Sequence, residues 1–491
     1  MPRTVKLNPA QTDRACGVVI GSAIGDALGA GYEFAPIPDG LVPDMIGGGL
    51  GDFAPGEWTD DTAQAFAILE VAATGVDLAS APALDQIAQR FADWYAGNPP
   101  DVGNQTSRVL RRAGRTPTGT SMAEVAAAVH IESGRSAGNG SLMRTGPVAL
   151  AYLGDPEGLV VAAMAVSALT HHEEIAQQAC AVWCLMIRHA VLNGAFPAFE
   201  EIEAWVPDPN HWRALLAEAE FVRPETFVNN MWAVGALQAA WSAICNTPVP
   251  TSGDPCVHLV GALTTAIRIG CDTDTVAAIA GALLGARWGM TAVPARWRRI
   301  LHGWPSSGGT QLEQLAYLAA RGGLPGKYNW PEVEYIDYTR LQFGKPALAR
   351  HPFDDGVWLG GATALDEIPE DVDAVVTLCL TGTAQVPPTL EHLTFRIMDE
   401  PEPDQNPNLD YVLVDAANAV AALRDEGKTV LLHCVAAHSR TPTVGIVYAM
   451  LRGHSLAEAT ASVCGALPAA SPNSGFQAAM KRLETRLVDG A

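Results

Sequence analysis

The sequence predicts two unlike folds in series, an all-α domain over its amino-terminal two-thirds and an α/β domain over the rest. Three observations carry this. The chain has 491 residues, and a domain usually takes roughly 100 to 200. From about residue 12 to 321, long Ala/Leu/Val-rich stretches recur with few alternating strand patterns. After a stretch rich in Gly, Pro and Tyr, the texture changes to short apolar runs interleaved with helical patterns.

Taken in order, residues 62–73, 159–169, 174–192 and 276–286 read as helices separated by Gly/Pro/Asp-rich loops. Their mostly apolar character is that of buried helices, so the polar motifs between them must build any site. The connector texture begins near Gly322, and places the first domain at 10–325, a linker at 326–346 and the second domain at 347–491. In the second domain 357–359, 374–380 and 429–432 read as strands, and 411–424 and 456–464 as helices, an alternation that indicates an α/β fold. No internal repeat links the two parts.

Composition narrows the function. The apolar share is 48% and the charged share 17%, values of well-packed globular material. A formal net charge of −22 without any Lys/Arg run disfavours a nucleic-acid partner. Nine scattered cysteines without paired spacing argue against a disulfide framework and for a reducing, cytoplasmic setting. No uninterrupted apolar run of about 18 residues is present, so a soluble protein without a membrane partner is expected.

Two clusters carry the first chemistry. Trp58-Thr59-Asp60-Asp61-Thr62 and Gly270-Cys271-Asp272-Thr273-Asp274-Thr275 each precede a helical run. Either alone could be a helix N-cap, because Asp and Thr oxygens accept orphan backbone N–H bonds. Together they offer four carboxylates and threonine hydroxyls without Cys/His spacing, a donor set that suits Mg²⁺ or Mn²⁺ and not zinc.

With Gly25-Asp26-Ala27-Leu28-Gly29, Glu33-Phe34, Gly138-Asn139-Gly140-Ser141-Leu142-Met143-Arg144 and Asp272-Thr273-Asp274-Thr275 in this order, roughly the first 320 residues resemble the ADP-ribosylglycohydrolase family. The resemblance implies an all-α domain holding two Mg²⁺ ions, Mn²⁺ being possible, that hydrolyses the bond between ADP-ribose and a protein side chain or small-molecule acceptor. By position it makes Thr59, Asp60, Asp61, Asp272, Asp274 and Thr275 the metal ligands, and it makes Glu33 and Asp101 catalytic. The backbone N–H groups of Gly138, Asn139, Gly140 and Ser141 would admit the diphosphate, with His171 either a substrate-edge or a structural histidine. Residue-level alternatives are a solvated turn for Glu33, an Asx-turn for Asp101 and an ordinary turn for 138–141. Cleaving a glycosidic bond needs an acid or metal at the leaving group and a carboxylate or metal to activate water, which these motifs supply.

The second constellation is Thr429-Val430-Leu431-Leu432-His433-Cys434-Val435-Ala436-Ala437-His438-Ser439-Arg440-Thr441, a strand, a loop and the start of a helix. Consecutive N–H groups ahead of a helix, with a guanidinium, would cradle a tetrahedral anion and favour a thiolate at Cys434. The segment resembles the signature of cysteine-dependent dual-specificity and tyrosine phosphatases. That resemblance implies Cys434 as nucleophile, Arg440 as phosphate ligand, Thr441 as the hydroxyl aiding thiolate departure and Asp399 as proton donor, with Asp404 the alternative acid. Glycine is usual three residues after the cysteine, and Ala437 stands there.

The expectation is thus a bifunctional hydrolase acting on an ADP-ribosylated protein or small molecule and on a phosphorylated protein or metabolite. Two rival readings are a module that binds ADP-ribose or phosphate without turnover, and a phosphatase regulated by an inactive amino-terminal domain.

Overall fold

The computed structural model describes residues 4–38, 40–339, 347–467 and 469–489. It divides into two units, Met1–Val293 with Trp297–Leu324, and Pro294–Arg296 with Pro325–Ala491. Of the stretch read as a linker, residues 340–346 lie outside the described residues.

The first unit is helical, apart from a two-residue strand pair, His302–Gly303 with Ser307–Gly308. Its centre is a pair of buried helices, Pro9–Gly29 and Thr273–Trp288. They meet backbone to backbone: a Cβ on Gly17, Gly21 or Gly25 would land on the carbonyl oxygens of Gly285, Gly281 and Ala277. Glycines four residues apart on one face permit this approach, and it brings Asp26, near the end of one helix, to Asp274, at the start of the other. Helices Asp60–Ala72, Gly146–Ala151 and Glu174–Asn193 pack around the pair. Two helices, Pro9–Tyr32 and Glu174–Asn193, are long and apolar enough to cross a membrane, but 94% and 72% of their apolar windows are buried inside the protein. Their hydropathy is that of core helices.

In the second unit the strands lie in the order Leu348–His351, Asp354–Gly360, Val430–His433, Ala374–Thr377, Glu391–Thr394. The first pair is antiparallel and the others parallel. Val430–His433 is wholly buried between neighbours, as expected of a central parallel strand, with Thr377 and Gly360 both in register with His433. Helices Leu409–Asp425, Arg440–Leu451 and Ser474–Asp489 contribute to the apolar core on this sheet. The loop after the central strand therefore emerges at the carboxyl edge of the sheet, where ligand sites of open α/β sheets form.

Part of the connector segment is packed within this unit. Trp330, Ile336 and Tyr338 are buried, Tyr338 donates to the Leu380 carbonyl (2.7 Å), and Gln385 bonds both backbone groups of Ile336 (3.3 and 3.1 Å).

Candidate functional sites

In the first unit both Asp/Thr clusters sit at helix starts, and the first also caps its helix through a side chain. Thr59 is the N-cap of Asp60–Ala72, and its hydroxyl accepts from the Asp61 N–H (3.4 Å) and donates to Asp61 Oδ2 (3.0 Å). Asp272 is the N-cap of Thr273–Trp288, and Thr275 Oγ1 reaches the same Asp61 Oδ2 from across the helix pair (3.4 Å). Asp61 Oδ1 is buried and has no partner.

Among the described residues, candidate ligand oxygens fall into two groups, Asp26, Asp61 and Asp274, and Glu33, Asp272 and Asp274, each within 4.8 Å. Asp274 belongs to both. Glu33 is carried in by the chain leaving helix Pro9–Gly29, where the Phe34 N–H is fixed to the Cys271 carbonyl (2.8 Å). Asp101 is half-buried at the same cluster, with Oδ1 accepting from the Val102 N–H (2.8 Å). That bond is to the next residue and not to the one after it, as an Asx-turn would need, and Asp101 also interacts with Asp272, Glu33 and Asp60.

Electrostatics follow from burial of so many like charges. Burial, then Asp101 and Asp26, pushes the Asp60 carboxyl up to about 8. Burial followed by Asp272, Asp101 and Asp60 pushes Glu33 to about 8, and burial raises Asp26 to about 6. Asp61 and Asp274 rise well above the carboxylate range, burial first. An oxygen-only donor set, uncompensated acidity and an orphaned Asp61 oxygen fit a hard divalent cation.

Several supports were not legible in the sequence. Asp26 accepts the Thr59 N–H (3.0 Å), the Thr62 N–H (2.9 Å) and the Thr62 hydroxyl (2.6 Å), locking the first cluster to helix Pro9–Gly29. Asp26 stands in the sequence within Gly25-Asp26-Ala27-Leu28-Gly29, but nothing in that motif shows that it holds Thr59 and Thr62. Asn230, fully buried, donates to the Gly270 carbonyl (3.1 Å) and accepts the Asp272 N–H (3.2 Å). Gln64 joins Asp60 (2.9 Å) to the buried guanidinium of Arg144 (2.5 Å).

The Asn139 and Ser141 side chains of the 138–141 loop are buried. The Asn139 amide turns inward, donating to Asp272 Oδ2 (2.8 Å) and the Asn230 carbonyl (2.9 Å). The Ser141 hydroxyl oxygen accepts from the Ser167 hydroxyl (2.8 Å). His171 has the placement of a structural histidine. It is buried beneath the loop, where a Cβ on Gly138 or Gly140 would meet its ring (3.4 and 3.3 Å), and it pairs with Thr170 Oγ1 (2.8 Å). Burial, then Arg144, pushes it down to about 3, so it is neutral. The two glycines leave room for that ring, and any approach to a ligand falls to the loop backbone.

In the second unit Cys434 follows the central strand and is buried. Its N–H donates to the Gly360 carbonyl (3.4 Å), which also accepts the Thr441 hydroxyl (3.2 Å). Arg440 opens helix Arg440–Leu451; its Nη1 donates to the carbonyls of Leu378 (2.8 Å) and Ile397 (3.3 Å), while Nε stands 3.6 Å from Asp399 Oδ2. That Nε is buried without a hydrogen-bond partner, a donor ready for an anion. Asp399 is the acid placed at the arginine; Asp404 lies in a short exposed turn, Pro403–Gln405. His433 is buried against Thr377 Oγ1 (2.7 Å) and held neutral by burial, pushed down to about 3. Ala437 takes φ +50°, the left-handed region that glycine enters freely and alanine at a cost.

Residues 7–327 match the family model described as ADP-ribosylglycohydrolase. The ADP-ribosyl-[dinitrogen reductase] glycohydrolase of Rhodospirillum rubrum is 31% identical over 297 residues, 59% of this chain and 90% of that protein. The ADP-ribosylarginine hydrolase Tri1 of Pseudomonas putida (strain GB-1) is 30% identical over 310 residues, 60% of this chain and 76% of that protein. Over 136 residues the chain is 34% identical to dual specificity phosphatase 28 of Mus musculus, 27% of this chain and 81% of that protein.

Proposed function

The chain belongs to the ADP-ribosylglycohydrolase family through residues 7–327, a hydrolase of ADP-ribosyl linkages joined to a dual-specificity-phosphatase-like region, and on that premise we propose a Mg²⁺-dependent hydrolase that frees ADP-ribose from arginine-type acceptors and carries a second, cysteine-dependent phosphomonoesterase site. The observation that carries the first part is the buried acidic pair of groups sharing Asp274, with Asp61 Oδ1 left unpartnered.

Asp60, Asp61, Asp272 and Asp274, with the hydroxyls of Thr59 and Thr275, would hold two Mg²⁺ ions. Bound there, Mg²⁺ supplies Lewis acidity at the sugar and lowers the pKa of water. The chain's own residues do the rest. Asn139 and Asn230 fix Asp272, and Asp26 fixes Thr59 and Thr62. Glu33, half-buried beside Asp272 and Asp274, would exchange a proton with the departing acceptor or with water. A guanidinium acceptor suits a cleft whose carboxylates outnumber its cations, and the named activity of the Pseudomonas relative supports the same class.

In the second unit Cys434 would attack phosphorus, Arg440 would bind the phosphoryl oxygens and Asp399 would protonate the leaving group. The orphaned Arg440 Nε supports this reading. The test is a comparison of arginine-linked and serine-linked ADP-ribosyl peptides, with a phosphate ester assayed in parallel on Cys434→Ser. Release from the arginine-linked peptide, and ester hydrolysis lost only in Cys434→Ser, is expected. Release only from the serine-linked peptide would overturn the acceptor assignment, and hydrolysis surviving in Cys434→Ser would overturn the nucleophile.

A further inference from the structure

Residues 469–475 touch both halves of the phosphatase-like site. On the phosphate loop, His438 Nδ1 bonds the Ala469 carbonyl, the Ser471 N–H donates to the His438 carbonyl (2.7 Å) and the Asn473 N–H donates to Ser439 Oγ (3.2 Å). On the acid loop, Asn473 Nδ2 donates to Asp399 Oδ1 (3.1 Å). The remaining oxygen of Asn473 caps helix Ser474–Asp489 by accepting the Phe476 N–H (3.0 Å). Next to it Gly475 lies flat under the acid loop, where a Cβ would meet the Pro401 carbonyl oxygen at 2.6 Å. The loop is closed on its far side by Asn406, which bonds both backbone groups of Met398 (2.8 and 2.9 Å).

A proton donor on an exposed loop must be oriented as well as present. Asp399 is exposed, and its two oxygens have different neighbours. Oδ1 is occupied by the Asn473 amide, which can only donate there, so this oxygen acts as an acceptor. Oδ2, 3.6 Å from Arg440 Nε, is the one left to carry a proton toward a group bound at Arg440.

We infer that Asn473 is the positioning residue for the proton donor of the phosphomonoester reaction, tying the register of the acid loop to that of the phosphate loop. The inference rests on the phosphatase reading above. In the step it serves, the Cys434 thiolate forms an S–P bond while the P–O bond to the leaving group breaks. The electron pair passes to the leaving oxygen, which takes the proton from Asp399 Oδ2. Asn473 touches neither phosphorus nor the leaving group and acts only through Asp399.

The test compares two aryl phosphates in the full-length protein. Phenyl phosphate expels a phenoxide with a pKa near that of tyrosine, about 10, and needs a proton; dinitrophenyl phosphate expels a stable anion and does not. Asn473→Ser keeps an N-cap oxygen for Phe476 but cannot reach Asp399. It is expected to lower kcat/KM on phenyl phosphate about 10-fold, a fraction of the roughly 10²- to 10⁴-fold that a general acid contributes, while dinitrophenyl phosphate falls less than about twofold. Asp399→Asn should show the same selectivity more strongly. Equal losses on both esters, or no loss on either, would overturn the role of Asn473 while leaving the phosphatase reading intact. Failure of the unaltered protein to hydrolyse either ester, or hydrolysis undiminished in Cys434→Ser, would overturn the phosphatase reading and this inference with it.

Discussion

Gly21→Ala should damage the acidic site from a distance. Gly21 contacts none of the carboxylates, yet its added methyl would land on the Gly281 carbonyl oxygen, between the two helices that carry Asp26 and Asp274. Atoms in such contacts settle near 3.5 Å, so the helices must part by roughly 1 Å. Overpacking of this kind costs about 1–3 kcal/mol, offset by up to about 1 kcal/mol because alanine favours a helix interior over glycine. A net loss of about 2 kcal/mol leaves a domain of ordinary stability folded. The ligand oxygens of Asp26, Asp61 and Asp274 lie within 4.8 Å, so a shift of that size opens the group, and misplacement by about 1 Å can cost on the order of 100-fold in rate. The assay is Tm by calorimetry with and without Mg²⁺, together with ADP-ribose release. A Tm lowered by several degrees, a weakened Mg²⁺-dependent rise and a large loss of release are expected. Unchanged Tm and unchanged release would refute the argument that this close helix contact sets the spacing of the site. Gly465→Ala, where a Cβ meets nothing within 4 Å, is the control and should cost nothing.

Asp60 and Glu33 titrate near about 8 and Asp26 near about 6 in the folded protein, against roughly 4 when unfolded. The folded state therefore holds protons that the unfolded state has lost, and stability falls as pH rises from about 4 to about 8; chelated protein should melt lower at about pH 8 than at about pH 5, with Mg²⁺ removing the difference. Equal melting of the chelated protein at both values would contradict the raised carboxyls. Asn230→Ala leaves the Asp272 N–H and the Gly270 carbonyl without their partner, at about 1–3 kcal/mol each, and should weaken Mg²⁺ binding in calorimetry; unchanged affinity would show that Asp272 is held by other means. Ala437→Gly removes left-handed strain of about 1–2 kcal/mol but also a buried methyl worth about 0.8 kcal/mol and adds chain entropy of about 0.5–1 kcal/mol, so Tm should move little. A fall of many degrees would mean that the methyl is a packing anchor.

Local pattern made the helices legible. The stretch read at 62–73 is helix Asp60–Ala72, that at 276–286 is Thr273–Trp288, and the run before Cys434 is the central strand Val430–His433. Strands Leu348–His351 and Glu391–Thr394 went unread, being four-residue pieces of mixed burial at the sheet edges with no strong alternation. The acidic motifs marked the site, but the residues that hold them in place act across long sequence separations. Asp26 reaches Thr59, Asn230 reaches Asp272 and Arg144 reaches Gln64, and nothing in local spacing encodes those pairs. Local pattern left the His171 and Asn139 side chains open for the same reason: a polar residue beside a glycine loop has the same local pattern whether it faces a ligand or supports the loop from below.

The most direct test of the central claim is release of free ADP-ribose from an arginine-modified protein by the full-length chain, with Mg²⁺ and after chelation, beside Asp274→Asn, which alters the one carboxylate common to both acidic groups. The account predicts release that requires Mg²⁺ and is abolished in the variant. Release that persists in the chelator, or that Asp274→Asn leaves intact, would contradict it.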